Sequence, residues 1–177
     1  LVEKLAAELD GGAGALLFAS GLAAIAALLE TVRMGQHIAA PKIMYFGAQA
    51  WMARIAERRG IGLTLYDAAD DEALARAVRP GETAIVWVET PSNPSWVVTD
   101  IAKAVEIAHT AGAILAVDST VATPVFTNPI ALGADIVMHS ATKYLGGHSD
   151  LMGGALVVRD QSLYDELYFV QNATGAI

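Results

Sequence analysis

Between His139 and Asp150 the chain reads HSATKYLGGHSD, which sets one lysine among small and hydroxyl residues. Lys143 directly follows Ser140-Ala141-Thr142 and shortly precedes Gly146-Gly147. Two hydroxyls can donate to a phosphate while the lysine reaches an aldehyde. A Schiff-base or proton-transfer lysine needs a poorly hydrated pocket, where the charged ammonium is disfavoured; the other reading of Lys143 is a solvated loop lysine. Asp118 closes the apolar run AILAVD, so a carboxylate is carried to the edge of a sheet. It must find a partner there, either a turn that it caps or a cationic ligand atom, because unpaired burial is costly. Ser20-Gly21-Leu22 stands at a strand-to-helix junction, where free amides and the helix dipole favour a phosphate and a glycine lets backbone approach a ligand. Tyr45 lies in a glycine-containing turn and can lie flat on an aromatic ring.

An acid for a pyridinium nitrogen, a lysine for an aldehyde, a phosphate cradle and a stacking ring together describe a pyridoxal 5′-phosphate site. Asp118 and Lys143 are 25 residues apart, the span of one strand-loop-helix-strand unit. That spacing predicts both at the same edge of adjacent strands.

The elements that must position them alternate along the chain. Helices are expected in LVEKLAAELDGG, GLAAIAALLETV, AQAWMARIAERRG, DDEALARAV with acids in its first turn, DIAKAVEIAHTAG and QSLYDELYFVQN. A further short helix is expected after the loop STVATPVFTNP. Strands are expected in ALLFAS, HIAAP, GLTLYD, TAIVWVE, AILAVD, DIVMHS and GALVVR. Strands apolar on both faces and alternating with helices predict an α/β fold, a mostly parallel sheet covered on each side. Ligands bind beyond the carboxyl ends of such strands. Polar residues collect there at Ser20, Glu89 to Asn93, Asp118 to Thr120 and His139 to Lys143.

With 54% hydrophobic and 17% charged residues, much of the 177-residue chain must be buried, in a core, an oligomer interface or part of something larger. A net charge of −8 argues against a nucleic-acid partner. Without cysteine there is no disulfide or thiolate site, and the four scattered histidines give no metal-binding pattern. Residues 13–29 carry no charge, yet Ser20-Gly21 in their middle reads as a strand, a turn and a buried helix rather than a membrane span. A nucleotide-binding Rossmann domain is disfavoured, since no strand is followed by G-x-G-x-x-G.

In order, ASGLAAI, VETPSNP, AVDSTVATP and HSATKYLGGHSD resemble the Cys/Met-metabolism family of pyridoxal-phosphate enzymes, the cystathionine γ-synthase, cystathionine lyase and methionine γ-lyase group. The likeness covers essentially the whole chain and implies the fold type I, aminotransferase-like large domain. It implies Lys143 as the Schiff-base lysine and Asp118 as partner of the pyridine nitrogen. It further implies that Ser140, Thr142, Ser20 and the Gly21 and Leu22 amides hold the phosphate, and that Asn93 lies near the phenolic oxygen. Tyr45 becomes the stacking tyrosine, which in the family also takes part in proton transfer. The implied activity is β- or γ-elimination, or γ-replacement, on a small sulfur-containing amino-acid substrate, in a cytoplasmic homo-oligomer, dimer or tetramer. The rival is a non-catalytic module that keeps the cofactor-binding fold. Phe46-Gly47-Ala48 stands where the family commonly has a second glycine and then threonine, and VDST replaces the commoner VDNT. Residues 1–177 are expected to form the cofactor-binding large domain alone, without the family's N-terminal arm and C-terminal domain.

Overall fold

The computed structural model describes residues 1–70 and 72–176. Seven strands form one sheet: β1 (Gly14–Phe18), β2 (His37–Pro41), β3 (Gly62–Tyr66), β4 (Thr83–Glu89), β5 (Ile114–Asp118), β6 (Ile136–His139) and β7 (Gly154–Val158). Their order is β1-β7-β6-β5-β4-β2-β3. Every neighbouring pair from β6 to β3 is parallel, while β7 runs antiparallel to both β1 and β6. The expected mostly parallel α/β sheet is therefore present, with one reversed strand inserted near an edge.

Helices cover both faces. On one lie α2 (Gly21–Glu30), α3 (Phe46–Arg59) and α7 (Gln161–Thr174), packed through Ile25, Leu28, Met52, Ile55 and Leu167 onto Leu16, Ile85, Trp87, Ile136 and Leu156. On the other, α4 (Ala73–Ala77) and α5 (Ile101–Thr110) pack on Val86, Val88, Leu115 and Val117, and α1 (Val2–Asp10) on Ala15, Val137 and Val157. Strands buried on both faces need apolar residues at every position, which is why alternation is absent from TAIVWVE and AILAVD. Each fully buried Leu, Ile or Met contributes on the order of 2 kcal/mol, so the sheet is a rigid base for its polar end.

Three boundaries differ from the sequence reading. Helix α3 begins at Phe46 rather than Ala48, because Tyr45 serves as its N-cap. The acids expected in the first turn of α4 precede it: Glu72 is its N-cap and Asp71 lies outside the described residues. The short helix α6 (Thr123–Phe126) forms inside the loop expected to be irregular, started by Pro124 in its first turn. The residues after it, 129–133, close instead as two tight turns, Leu132 to Pro129 and Gly133 to Ile130. The uncharged stretch 13–29 divides into β1 and α2, and no helix among the described residues is long and apolar enough to cross a membrane.

Candidate active site

Five chain segments meet at one edge of the sheet, because the carboxyl ends of β1, β2, β4, β5 and β6 and the amino end of β7 all lie there. Antiparallel pairing sets Phe18 beside Gly154 and His139 beside Ala155, so the turn into α2 and the lysine loop are neighbours. A methyl group on Gly21 would stand 2.9 Å from Ser140 Cβ and 3.1 Å from its Oγ. The glycine is thus required by the packing of α2 on Ser140, a closer constraint than approach to a ligand. Ser20 Oγ caps α2 by accepting the Ala23 amide at 3.1 Å. The Gly21 and Leu22 amides have no acceptor among the described residues and sit at the positive end of a ten-residue helix.

From Ser140 a chain of hydrogen bonds runs across the edge. The Ser140 amide donates to Thr120 Oγ1 at 2.8 Å, and the Thr120 amide donates to Asp118 Oδ1 at 3.0 Å. Asp118 pairs in register with Glu89 on the adjacent parallel strand, so both carboxylates lie on the α2 and α3 face of the sheet. Glu89 Oε2 accepts the Tyr45 amide at 2.8 Å and Oε1 accepts the Asn93 amide at 2.7 Å. Gly21, Ser140, Asp118, Asn93 and Tyr45 are therefore joined into one unit. Glu89 and Thr120 complete it, and the sequence assigns neither a role of its own. Their signal in the sequence was only their place at strand ends, beside Asp118 and Asn93.

Burial dominates the electrostatics. Asp118 is 6% exposed, and burial pushes its carboxyl above the usual range, against the opposing pull of Thr120 and His139. Burial, and then the Asp118 charge, raise Glu89 to about 7, although the Tyr45 and Asn93 amides hold it down. Behind Ser140, His139 Nε2 meets Asp10 Oδ2 at 2.8 Å with both side chains fully buried, tying the start of the lysine loop to α1.

The loop itself departs from expectation in two respects. Lys143 is exposed rather than held in a poorly hydrated pocket, and its Nζ has no hydrogen-bond or ion-pair partner among the described residues. Its backbone is fixed, with the Lys143 amide donating to Ser140 O at 3.0 Å. Thr142 Oγ1 donates to Gly153 O at 3.1 Å and accepts the Gly153 amide at 3.0 Å, closing the base of the loop. Donation from this hydroxyl to a phosphate requires release of Gly153 O.

Tyr45 is half exposed, and its ring lies over Gly47, where a methyl group would meet Cε1, Cζ and Oη at 2.8 to 2.9 Å. Phe46 beside it is 79% exposed. Ser119, at the asparagine position of the family motif, is fully buried, with its hydroxyl unpaired among the described residues. On the α5 side of the same edge lies a cavity of about 420 Å³, lined by Thr90, Trp96, Val98, Val121 and Phe126. His37 is buried against the Thr83 and Thr64 hydroxyls, and His109 and Arg159 pair with Asp135, all at the opposite edge.

These residues fit pyridoxal phosphate on features of the fold itself. Two amides unpaired among the described residues at a helix N-terminus suit a phosphate, a buried carboxylate hydrogen-bonded by Thr120 suits a ring cation, and an amine without a partner among the described residues suits an aldehyde.

Residues 1–177 match the model of a family described as Cys/Met metabolism PLP-dependent enzyme. The chain is 44% identical over 176 residues to a cystathionine gamma-lyase of Bacillus subtilis, covering 99% of this chain and 46% of that one. It is 40% identical over 171 residues to a probable cystathionine gamma-synthase of Herpetosiphon aurantiacus, covering 97% of this chain and 53% of the other. A crystal structure of a cystathionine gamma-lyase (CalE6) from Micromonospora echinospora superposes with a TM-score of 0.95 at 38% identity, over 99% of this chain and 46% of that one. The chain thus spans about half the length of the curated relatives it matches.

Proposed function

Because the chain belongs to the Cys/Met metabolism PLP-dependent enzyme family, we propose that residues 1–177 are the cofactor-binding large domain of an enzyme acting on a sulfur-containing amino acid. The reaction is β- or γ-elimination, or γ-replacement, on cystathionine, cysteine, methionine or an activated homoserine. The observation that carries this reading is the hydrogen-bonded unit linking Ser140 through Thr120 to Asp118, and Glu89 to Tyr45 and Asn93.

Bound pyridoxal phosphate supplies an aldehyde that takes the substrate amino group and a ring that accepts an electron pair from the α-carbon. The Gly21 and Leu22 amides and Ser140 bind the phosphate, with Ser20 holding the helix end in place; Thr142 reaches the phosphate when it releases Gly153. Asp118 would keep a proton on the ring nitrogen, Tyr45 would stack on the ring, and Asn93 would serve the phenolic oxygen. Lys143 Nζ would hold the aldehyde and would take up the substrate α-proton. A buried Asp118 carboxylate makes the protonated ring the favoured form, because an opposite charge removes its burial cost.

The working protein is a cytoplasmic homo-oligomer, a dimer or tetramer. Exposed Trp96, Val98, Val125 and Phe126 support a surface covered by another subunit or domain. A second copy or domain would also supply the wall that Lys143 lacks.

The test is release of pyruvate or 2-oxobutyrate from cystathionine, cysteine and methionine, together with cystathionine formation from an activated homoserine and cysteine, by the complete protein loaded with cofactor. Turnover with at least one is expected. Cofactor binding without any of these products would favour a non-catalytic module.

Gly47→Ala gives a milder expected result. The added methyl drives the Tyr45 ring aside, and because that ring is half exposed the fold loses little. The melting temperature should hold, while the cofactor dissociation constant rises about fivefold, the worth of one ring-stacking contact. Titration of cofactor absorbance measures it.

A further inference from the structure

Glu89 stands out as a buried titratable group to which the proposed chemistry assigns no role. It is 4% exposed and sits in register beside the second buried carboxylate, Asp118. A carboxylate in that position is disfavoured twice, by loss of water and by the neighbouring like charge. Its hydrogen bonds account for its presence. Oε2 holds the amide of Tyr45 at 2.8 Å, and Oε1 holds the amide of Asn93 at 2.7 Å. The two amides belong to different loops, one after β2 and one after β4, and one side chain spans both. No neutral side chain of this length offers two acceptor oxygens; glutamine would turn an N–H toward one of the two donors.

We propose that Glu89 is a positioning residue that locks Tyr45 and Asn93 together over the cofactor ring, one carboxylate oxygen for each loop. The inference rests on the reading of Asp118 as partner of the ring nitrogen. When a protonated ring sits beside Asp118, its charge offsets that of the Asp118 carboxylate, and the repulsion on Glu89 falls. Cofactor binding then favours the ionised Glu89 that accepts both amides at full strength. Ring binding and the closure of the two loops are coupled through this side chain.

The experiment uses the complete protein with and without pyridoxal phosphate. In Glu89→Gln the visible absorbance of bound cofactor should persist, since Lys143 is untouched. Its visible circular dichroism should shrink as the ring loses its fixed orientation, and its dissociation constant should rise about tenfold, the worth of one charge-assisted hydrogen bond. Native dichroism and native affinity in the variant would overturn the proposal. If the variant does not fold, amide exchange in the unmodified protein decides. The Tyr45 and Asn93 amides should exchange at least about tenfold more slowly with cofactor bound than without; unchanged exchange at either overturns the coupling. A complete protein that binds no cofactor at all would instead sink the proposed function, on which this inference rests. Native dichroism and affinity in Glu89→Gln would sink only the positioning role.

Discussion

Lys143→Ala is expected to abolish turnover, by at least about 10⁴-fold, together with the yellow absorbance of covalently held cofactor. One side chain is asked both to bond the aldehyde and to move the α-proton, and no neighbour duplicates it. Lys103, the next lysine toward the N-terminus, is on α5 with an ion pair to Glu72 at 3.1 Å. The same exposure that departs from the sequence expectation makes the test clean. The Lys143 side chain has no hydrogen bond or ion pair among the described residues, so its truncation should change the stability of the cofactor-free protein by no more than about 0.5 kcal/mol. Lys143→Arg should be equally inactive, because a guanidinium stays protonated and cannot serve as the nucleophile or base. Persistence of both the absorbance and turnover in Lys143→Ala would show that the lysine assignment is wrong.

Several parts of this site are legible without the fold, because each is written locally. Asp118 ends an apolar run, Ser20-Gly21 starts a helix, and the lysine loop is bounded by turn residues; all of them come to the edge that the strand ends define. Family membership and fold class are also carried by short contiguous motifs. What stays hidden depends on pairing between distant segments. Gly14 pairs with Val158, and nothing local to either says that β7 is inserted antiparallel between β1 and β6. The role of Glu89 is hidden because it reads as the last residue of an apolar strand; only the register with Asp118 and the reach to the β2 loop reveal it. Thr142 looks like a free hydroxyl until Gly153, eleven residues on, is seen to occupy it. The exposure of Lys143 is not written locally either, since it depends on how the loop packs on distant segments.

Asp118→Asn should have opposite effects on the empty and the loaded protein, and that opposition separates a ring partner from a turn cap. In the empty protein two adjacent carboxyls have raised pKa values: burial pushes Asp118 above the usual carboxylate range, and burial with the Asp118 charge raises Glu89 to about 7. A raised pKa means that the folded state holds the proton more tightly than the unfolded one. The associated stability is fully present below about pH 4 and is lost as pH climbs toward 7 and beyond. For Glu89 alone the rise corresponds to at most roughly 3 kcal/mol. Asparagine removes the Asp118 charge, lowers the push on Glu89, and keeps an oxygen for the Thr120 amide. The empty variant should therefore melt about 2–4 °C higher than the parent at pH 8, the difference shrinking as pH falls toward 4. His37, whose pKa is lowered by burial, adds a trend of the opposite sign, but it is common to both proteins and cancels in their difference. With cofactor bound the order reverses. Without a carboxylate to hold the ring proton, turnover should fall by about 10²–10³-fold, the usual cost of removing one preorganised electrostatic contact, and cofactor should no longer stabilise at pH 8 as it does in the parent. A plain turn cap, which asparagine preserves, predicts unchanged turnover and cofactor stabilisation equal to that of the parent.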